Sequence, residues 1–304
     1  MARYASLDVG SNTVKLTIAE RDGAGRFTPI VDMARTTRLG ERIHDRRLGE
    51  AAIRRTLDAL AEFRALCEQH GVEALAAVGT SALRDAVNQE EFVRRAGEIG
   101  VPVEPISGDE EARLSFLAVR RDPLWRECAG LAVIDIGGGS TEIVLGDGAS
   151  GGPALRTSVN VGGVRLTESL LRGDPPTVAE MAAANAAVSE ALQVLGPLPA
   201  NYALVGVGGT LVNMASVKLG LPSQEPERIH GTRLSADDVE SQVALYAERT
   251  IAERKAIVGL DPQRADIILA GALILSHLLS RAAAESVHVS CRGLRWGVLY
   301  DRFG

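Results

Sequence analysis

Residues 5–18, ASLDVGSNTVKLTI, recur in altered form as residues 132–145, AVIDIGGGSTEIVL, and this repeat decides the fold. Each copy reads as an apolar strand, an Asp (Asp8 or Asp135), a turn built from Gly, Ser, Thr and Asn, and a second apolar strand. A second pair follows the same logic: residues 74–86, ALAAVGTSALRDA, resemble residues 203–215, ALVGVGGTLVNMA, each a strand, a Gly-Thr turn and a helix start. From Asp8 to Asp135 is 127 positions, and from Thr80 to Thr210 is 130. Two unrelated motifs repeating at nearly one offset predict two halves that share a topology.

The remaining segments supply helices. EAAIRRTLDALAEFRALCEQHG carries apolar residues at Ile53, Leu57, Leu60, Phe63 and Leu66 and stops at Gly71. Residues 87–99 predict a shorter helix. Capping-box patterns open two more, Thr177 with Glu180 and Ser235 with Asp238. Strands alternating with helices predict an α/β architecture. Pro123 and its polar neighbours in segment 120–130 place the division between domains 1–122 and 123–304, with no third domain after it.

With 304 residues, 46% of them hydrophobic, the chain excludes disordered and fibrous classes, and only 4% aromatics leaves the core to aliphatic side chains. The cysteines at 67, 128 and 291 form no C-x-x-C pair, and their odd number speaks against a disulfide framework. The five histidines are scattered, so zinc has no support. No apolar leader follows the N-terminus, and the longest apolar run, residues 267–280, is too short to span a bilayer. A cytoplasmic protein without a membrane segment is the expectation. Net charge −6 argues against nucleic acid as the partner.

The glycine-bearing turns allow backbone N–H groups to converge, which suits phosphate oxygens. Ser11, Asn12 and Thr13 add side-chain donors in the first loop, and Ser140 and Thr141 in the second. The plain alternative is a set of tight hairpins needing glycine only for its backbone freedom. Asp8 and Asp135 end apolar strands beside these loops, where hard oxygen ligands suit Mg²⁺; the alternative is an Asx bond to the turn. In SGDEEARLSFLAVRR (107–121), Ser107 and Glu110 match a cap, and Glu111 is either part of that helix start or a general base. Arg84 suits a phosphate clamp or an exposed helix position. Arg35, Arg38, Arg42, Arg46 and Arg47 form either a polyanion track or a solvated face shared with Glu41 and Asp45.

In order along the chain, DVGSNTVKL, GTSALRDA, SGDEEARLSF, DIGGGSTE, GVGGT and RIHGTRLS resemble the exopolyphosphatase/guanosine pentaphosphatase phosphohydrolase family, over nearly the whole length. The resemblance implies two ribonuclease-H-like domains of the actin-like ATPase kind flanking a central cleft. It implies water activation by Glu111 and Glu142, a divalent ion at Asp135, and phosphate binding by Arg84. It matches Gly10, Ser11 and Asn12 to a first phosphate loop, Gly138, Gly139 and Ser140 to a second, and Gly208, Gly209 and Thr210 to a third. One departure stands out: Trp296 occupies a position that is typically acidic in the family. With the sequence running to Gly304, the resemblance suggests a short, two-domain member and not one of the long members with helical C-terminal domains.

The expected activity is hydrolysis of the terminal phosphoanhydride of inorganic polyphosphate, dependent on Mg²⁺ (or Mn²⁺), with release of orthophosphate. Guanosine pentaphosphate offers the same bond and is the alternative substrate. An actin-like ATPase or sugar kinase, and a non-catalytic polyphosphate or alarmone sensor, are the alternatives of other classes. A homodimer is compatible with this reading.

Overall fold

A computed structural model of the chain describes residues 1–41, 43, 46–147, 155–199 and 201–304. The chain divides into two compact units, Met1–Ala118 with Leu294–Gly304, and Val119–Gly293.

The first unit holds a five-stranded sheet of β1 (Ala2–Val9), β2 (Thr13–Arg21), β3 (Phe27–Thr36), β4 (Ala74–Gly79) and β5 (Val103–Pro105), in the order β3-β2-β1-β4-β5. β1, β2 and β3 form an antiparallel meander, and β4 and β5 add in parallel on the other side of β1. The second unit repeats that plan. Its sheet contains β6 (Gly130–Ile136), β7 (Thr141–Asp147), β8 (Leu155–Val159), β9 (Tyr202–Val207), β10 (Arg233–Ser235) and β11 (Ser286–Val289), in the order β10-β11-β9-β6-β7-β8. Here β6, β7 and β8 are the meander, β9 and β11 are the parallel additions, and β10 is an extra antiparallel edge. A meander followed by parallel strands on its first strand is the ribonuclease-H-like plan, so the expected α/β architecture of two such domains is what the chain adopts.

Register carries the duplication down to single residues. Asp8 faces Lys15 and Val9 faces Val14 in the first hairpin; Asp135 faces Glu142 and Ile136 faces Thr141 in the second. All four positions are related by the same 127-residue offset. The expected helices form as Glu50–Gln69, Gln89–Glu98, Val178–Ala191 and Ala236–Ala247, and both capping boxes close. The apolar run near 270 is the helix Ile268–Ala282, buried in the second unit's core. Among the described residues no helix is long and apolar enough to cross a membrane.

The expected division at 122/123 needs correction in two respects. The contact boundary falls at 118/119, and the last eleven residues return to the first unit. The cause lies in the helix Leu294–Phe303: its Trp296 and Leu299 are buried with Ala19, Phe27 and Ala118, and Phe303 stacks on Tyr4 at 4.7 Å. Gly297 permits this seat, because a Cβ there would lie 2.0 Å from the Leu114 carbonyl oxygen. Trp296 is therefore a core residue, 2% exposed.

Candidate functional site

In the first unit, the turn between β1 and β2 departs from a plain two-residue hairpin. Gly10 N–H donates to Thr13 O at 3.1 Å, but the Ser11 carbonyl accepts from Gly40 N–H (2.8 Å), and that of Asn12 from Thr37 and Arg38 N–H (3.1 and 2.9 Å). A planar trans peptide holds its C=O and N–H on opposite sides, so tethering these carbonyls turns the Asn12 and Thr13 N–H groups the other way. The Ser11 hydroxyl accepts from Ala82 N–H (3.2 Å), which joins this loop to the turn that carries Arg84. Asn12 Nδ2 donates to Thr13 Oγ1 at 3.2 Å.

Arg84 and Glu111, chosen separately from the sequence, meet: Arg84 Nη1 lies 2.9 Å from Glu111 Oε2 and also donates to the Ile106 carbonyl at 3.1 Å. The cap of the helix Gly108–Arg120 is made by other residues. Ser107 Oγ accepts from Glu110 N–H (3.1 Å), and the Glu110 carboxylate is bound to Arg113. Glu111 is buried and turned to Arg84 instead. Among the five arginines of segment 35–47, Arg35 pairs with Glu62 and Arg46 donates to the Asp85 carbonyl. Arg42 lies outside the described residues.

The second unit ties its loop back more completely. Gly137 N–H donates to Ser140 O (3.0 Å), while the Gly137 carbonyl accepts from Gly163 N–H (2.9 Å) and that of Gly138 from Val164 and Arg165 N–H (2.8 and 3.0 Å). Arg165 Nε donates to Gly139 O at 2.8 Å. With three consecutive carbonyls tethered to the start of the helix Gly163–Leu170, the N–H groups of Gly138, Gly139 and Ser140 all turn away from it. Three adjacent amides sharing one direction make an anion nest.

Asp135 and Glu142 stand directly opposite each other on neighbouring antiparallel strands, so their side chains share one face of the sheet beside this nest. Ser158, opposite Glu142 on β8, donates to Glu142 Oε1 at 2.7 Å. Gly208 closes the group at the end of β9. Its φ is +95°, and a Cβ would lie 2.8 Å from Asp135 Oδ1, so the position admits only glycine. Gly209 lies against the guanidinium of Arg264, within 2.2 Å of where its Cβ would be. Thr210 is buried and packs against Gly271 of the helix Ile268–Ala282.

Fit to a divalent ion differs between the two halves. Asp8 has a cation of its own, Lys15 Nζ at 3.4 Å, at the position equivalent to Glu142. Asp135 instead faces a second carboxylate, Glu142, across the strand pair. Oxygen-only ligands and one or two carboxylates are what Mg²⁺ and Mn²⁺ accept, with water and substrate oxygens completing the shell. Among the described residues no cluster of three or more His, Cys, Asp or Glu could hold a metal without such additions.

Five residues of the site are not evident from the sequence alone. Lys15 was visible as the partner of Glu142 in the repeat, but its charge has meaning only once register pairs it with Asp8. The glycines at 162 and 163 were readable as a break before an amphipathic run. Ser158 and Arg264 carried no local signal.

The chain is thus built of duplicated ribonuclease-H-like units, the second carrying three co-directed amides beside a facing carboxylate pair. The chain belongs to the Ppx/GppA phosphatase family, whose model matches residues 17–304. It is 32% identical to exopolyphosphatase 2 of Mycobacterium tuberculosis, over 100% of this chain and 99% of that one. The crystal structure of the Aquifex aeolicus Ppx/GppA family member superposes with a TM-score of 0.83 at 34% identity, covering 99% of this chain and 97% of that one. An exopolyphosphatase from Cytophaga hutchinsonii gives 0.88 at 28% identity, covering 99% and 97%. The protein is thus a phosphohydrolase acting on phosphoanhydride bonds.

Proposed function

We propose that the substrate is inorganic polyphosphate and that the protein is an exopolyphosphatase releasing orthophosphate from the chain end. The observation that carries this is the pair Asp135 and Glu142 on one sheet face beside three co-directed amides. A nest that satisfies phosphate oxygens in any orientation suits a repetitive polyanion, and the naming of relatives as exopolyphosphatases supports the same reading. Phosphoryl transfer asks mainly for positioning and charge neutralisation. In the second unit the amides of Gly138, Gly139 and Ser140 hold a phosphate; in the first unit the Asn12 and Thr13 amides and Arg84 are the corresponding phosphate-binding groups. Asp135 would hold Mg²⁺ or Mn²⁺, which would supply neutralisation of phosphate charge. Glu142, fixed by Ser158, orients the water and takes its proton; within the first unit Glu111, held by Arg84, is the other candidate base.

The test is orthophosphate release from polyphosphates of defined length, with guanosine pentaphosphate as a parallel substrate, each with Mg²⁺ and with EDTA. Release from polyphosphate only with the divalent ion supports the proposal. Faster turnover of guanosine pentaphosphate reassigns the substrate, and full activity in EDTA removes the metal.

A further inference from the structure

The three carbonyls that shape the second phosphate loop are not held alike. Gly137 O and Gly138 O are bound by backbone N–H groups of Gly163, Val164 and Arg165, whereas Gly139 O is bound by a side chain, Arg165 Nε at 2.8 Å. That third peptide plane is the one carrying the Ser140 N–H. It follows two glycines, whose backbone freedom would let an untethered plane rotate. The start of the helix Gly163–Leu170 is held to the loop by those backbone hydrogen bonds and sits hard against it, since a Cβ on Gly162 would lie 2.7 Å from Gly138 C and O. Arg165 therefore reaches across from a fixed base, through an otherwise exposed side chain.

The geometry points to Arg165 as a positioning residue for anion binding: its Nε holds the Gly139–Ser140 peptide so that the Ser140 N–H faces the bound phosphate. This rests on the proposal that the loop is an anion nest. The nearest competing role is electrostatic, in which the guanidinium charge itself attracts phosphate. Side-chain lengths separate the two. Glutamine places its amide nitrogen at the chain position of Arg Nε, keeping the donor without the charge. Lysine keeps the charge but has a carbon at that position. Methionine has neither.

The experiment compares wild type with Arg165→Gln, Arg165→Lys and Arg165→Met. Affinity for inorganic triphosphate is measured by calorimetry on metal-free protein, the Ser140 amide resonance is followed during the same titration, and kcat and KM are measured with Mg²⁺. For Arg165→Met the expectation is a loss of roughly 10–100-fold in kcat/KM, below the full effect of deleting an oxyanion donor, with the Ser140 amide no longer shifting on titration. Arg165→Gln should restore most of the activity and the Ser140 response, and Arg165→Lys should not. Wild-type behaviour of Arg165→Met overturns the inference. So does an active Arg165→Lys beside an impaired Arg165→Gln, which would assign the effect to charge; this comparison holds even if Arg165→Met does not fold. Absence of triphosphate binding and of a Ser140 shift in the wild type would sink the anion-nest reading itself.

Discussion

Replacing Glu142 by Gln should move activity and stability in opposite directions. In the folded protein Glu142 is buried and directly opposite Asp135, so the metal-free sheet holds two facing carboxylates. Opposed residues in an antiparallel pair have Cβ atoms about 5 Å apart. At that separation and an effective dielectric near 20, two unit charges repel by about 3 kcal/mol. Partial exposure of Asp135 lowers this, so about 1–3 kcal/mol is the expected relief when Glu142 loses its charge. The Ser158 hydroxyl can still donate to the amide oxygen, so that hydrogen bond is kept. For a unit of this size the relief corresponds to a rise in Tm of roughly 2–10 °C without metal. Because Mg²⁺ offsets the same repulsion, it should stabilise the wild type by more than the variant. Loss of the base should meanwhile lower kcat by about 10²–10⁴-fold, with substrate affinity similar or better. Scanning fluorimetry with EDTA or Mg²⁺ and phosphate release from triphosphate read the two effects. A variant that is active, or one that melts lower without metal, would refute the argument, since a merely structural glutamate destabilises when altered.

Asp135→Asn should abolish the Mg²⁺-induced shift in Tm, whereas Asp8→Asn should leave it, because Lys15 already balances Asp8; equal effects would place the ion on both halves. Trp296→Glu, which introduces the acid typical of the family position, buries a charge among Ala19, Phe27 and Leu299 and should cost more than about 4 kcal/mol, read as a loss of cooperative unfolding. Asp122 is buried with Arg292 Nη1 at 3.2 Å, His230 Nε2 at 3.3 Å and the Leu124 N–H at 3.0 Å. Burial alone would raise its carboxyl pKa, but the His230 and Leu124 hydrogen bonds and the Arg292 charge hold it below the usual value. A depressed carboxylate stabilises above its unfolded pKa, and that contribution is lost as pH falls through the folded value. Asp122→Asn should therefore cost about 3–5 kcal/mol at neutral pH, and its Tm deficit against wild type should shrink as pH drops below about 4; a pH-independent deficit would contradict this.

The duplication was legible because a strand-turn-strand repeat keeps its register, and Asp8 and Asp135 mark the same step in each copy. Arg84 and Glu111 were each legible as candidates, but their ion pair was not, because it depends on where the helix Gly108–Arg120 begins after Ile106. Asp109, Glu110 and Glu111 look alike in sequence; the partners Arg113 and Arg84 distinguish the last two. Arg264 reaches Gly209 only because Asn213 holds the Asp261 N–H at 2.8 Å while its own amide binds the Gly209 carbonyl at 2.9 Å. Such an arrangement, made across half a hundred residues by side chains, leaves no periodic trace. The return of the final helix was equally hidden, since its amphipathic face could have covered either sheet.

That return has a consequence for how the protein is made. The second unit is one continuous stretch, Val119–Gly293, and all its strands have been synthesised before Leu294 is added. The first unit starts with β1 at Ala2 yet lacks Trp296, Leu299 and Phe303 until residues 294–303 have been synthesised. On the ribosome the usual N-to-C order of domain completion is therefore inverted: the later unit can finish first, while the earlier one waits with an uncovered apolar face on β1 and β2. A stalled or truncated chain ending before residue 294 would expose Tyr4, Ala19 and Phe27, a surface that chaperones bind and proteases follow.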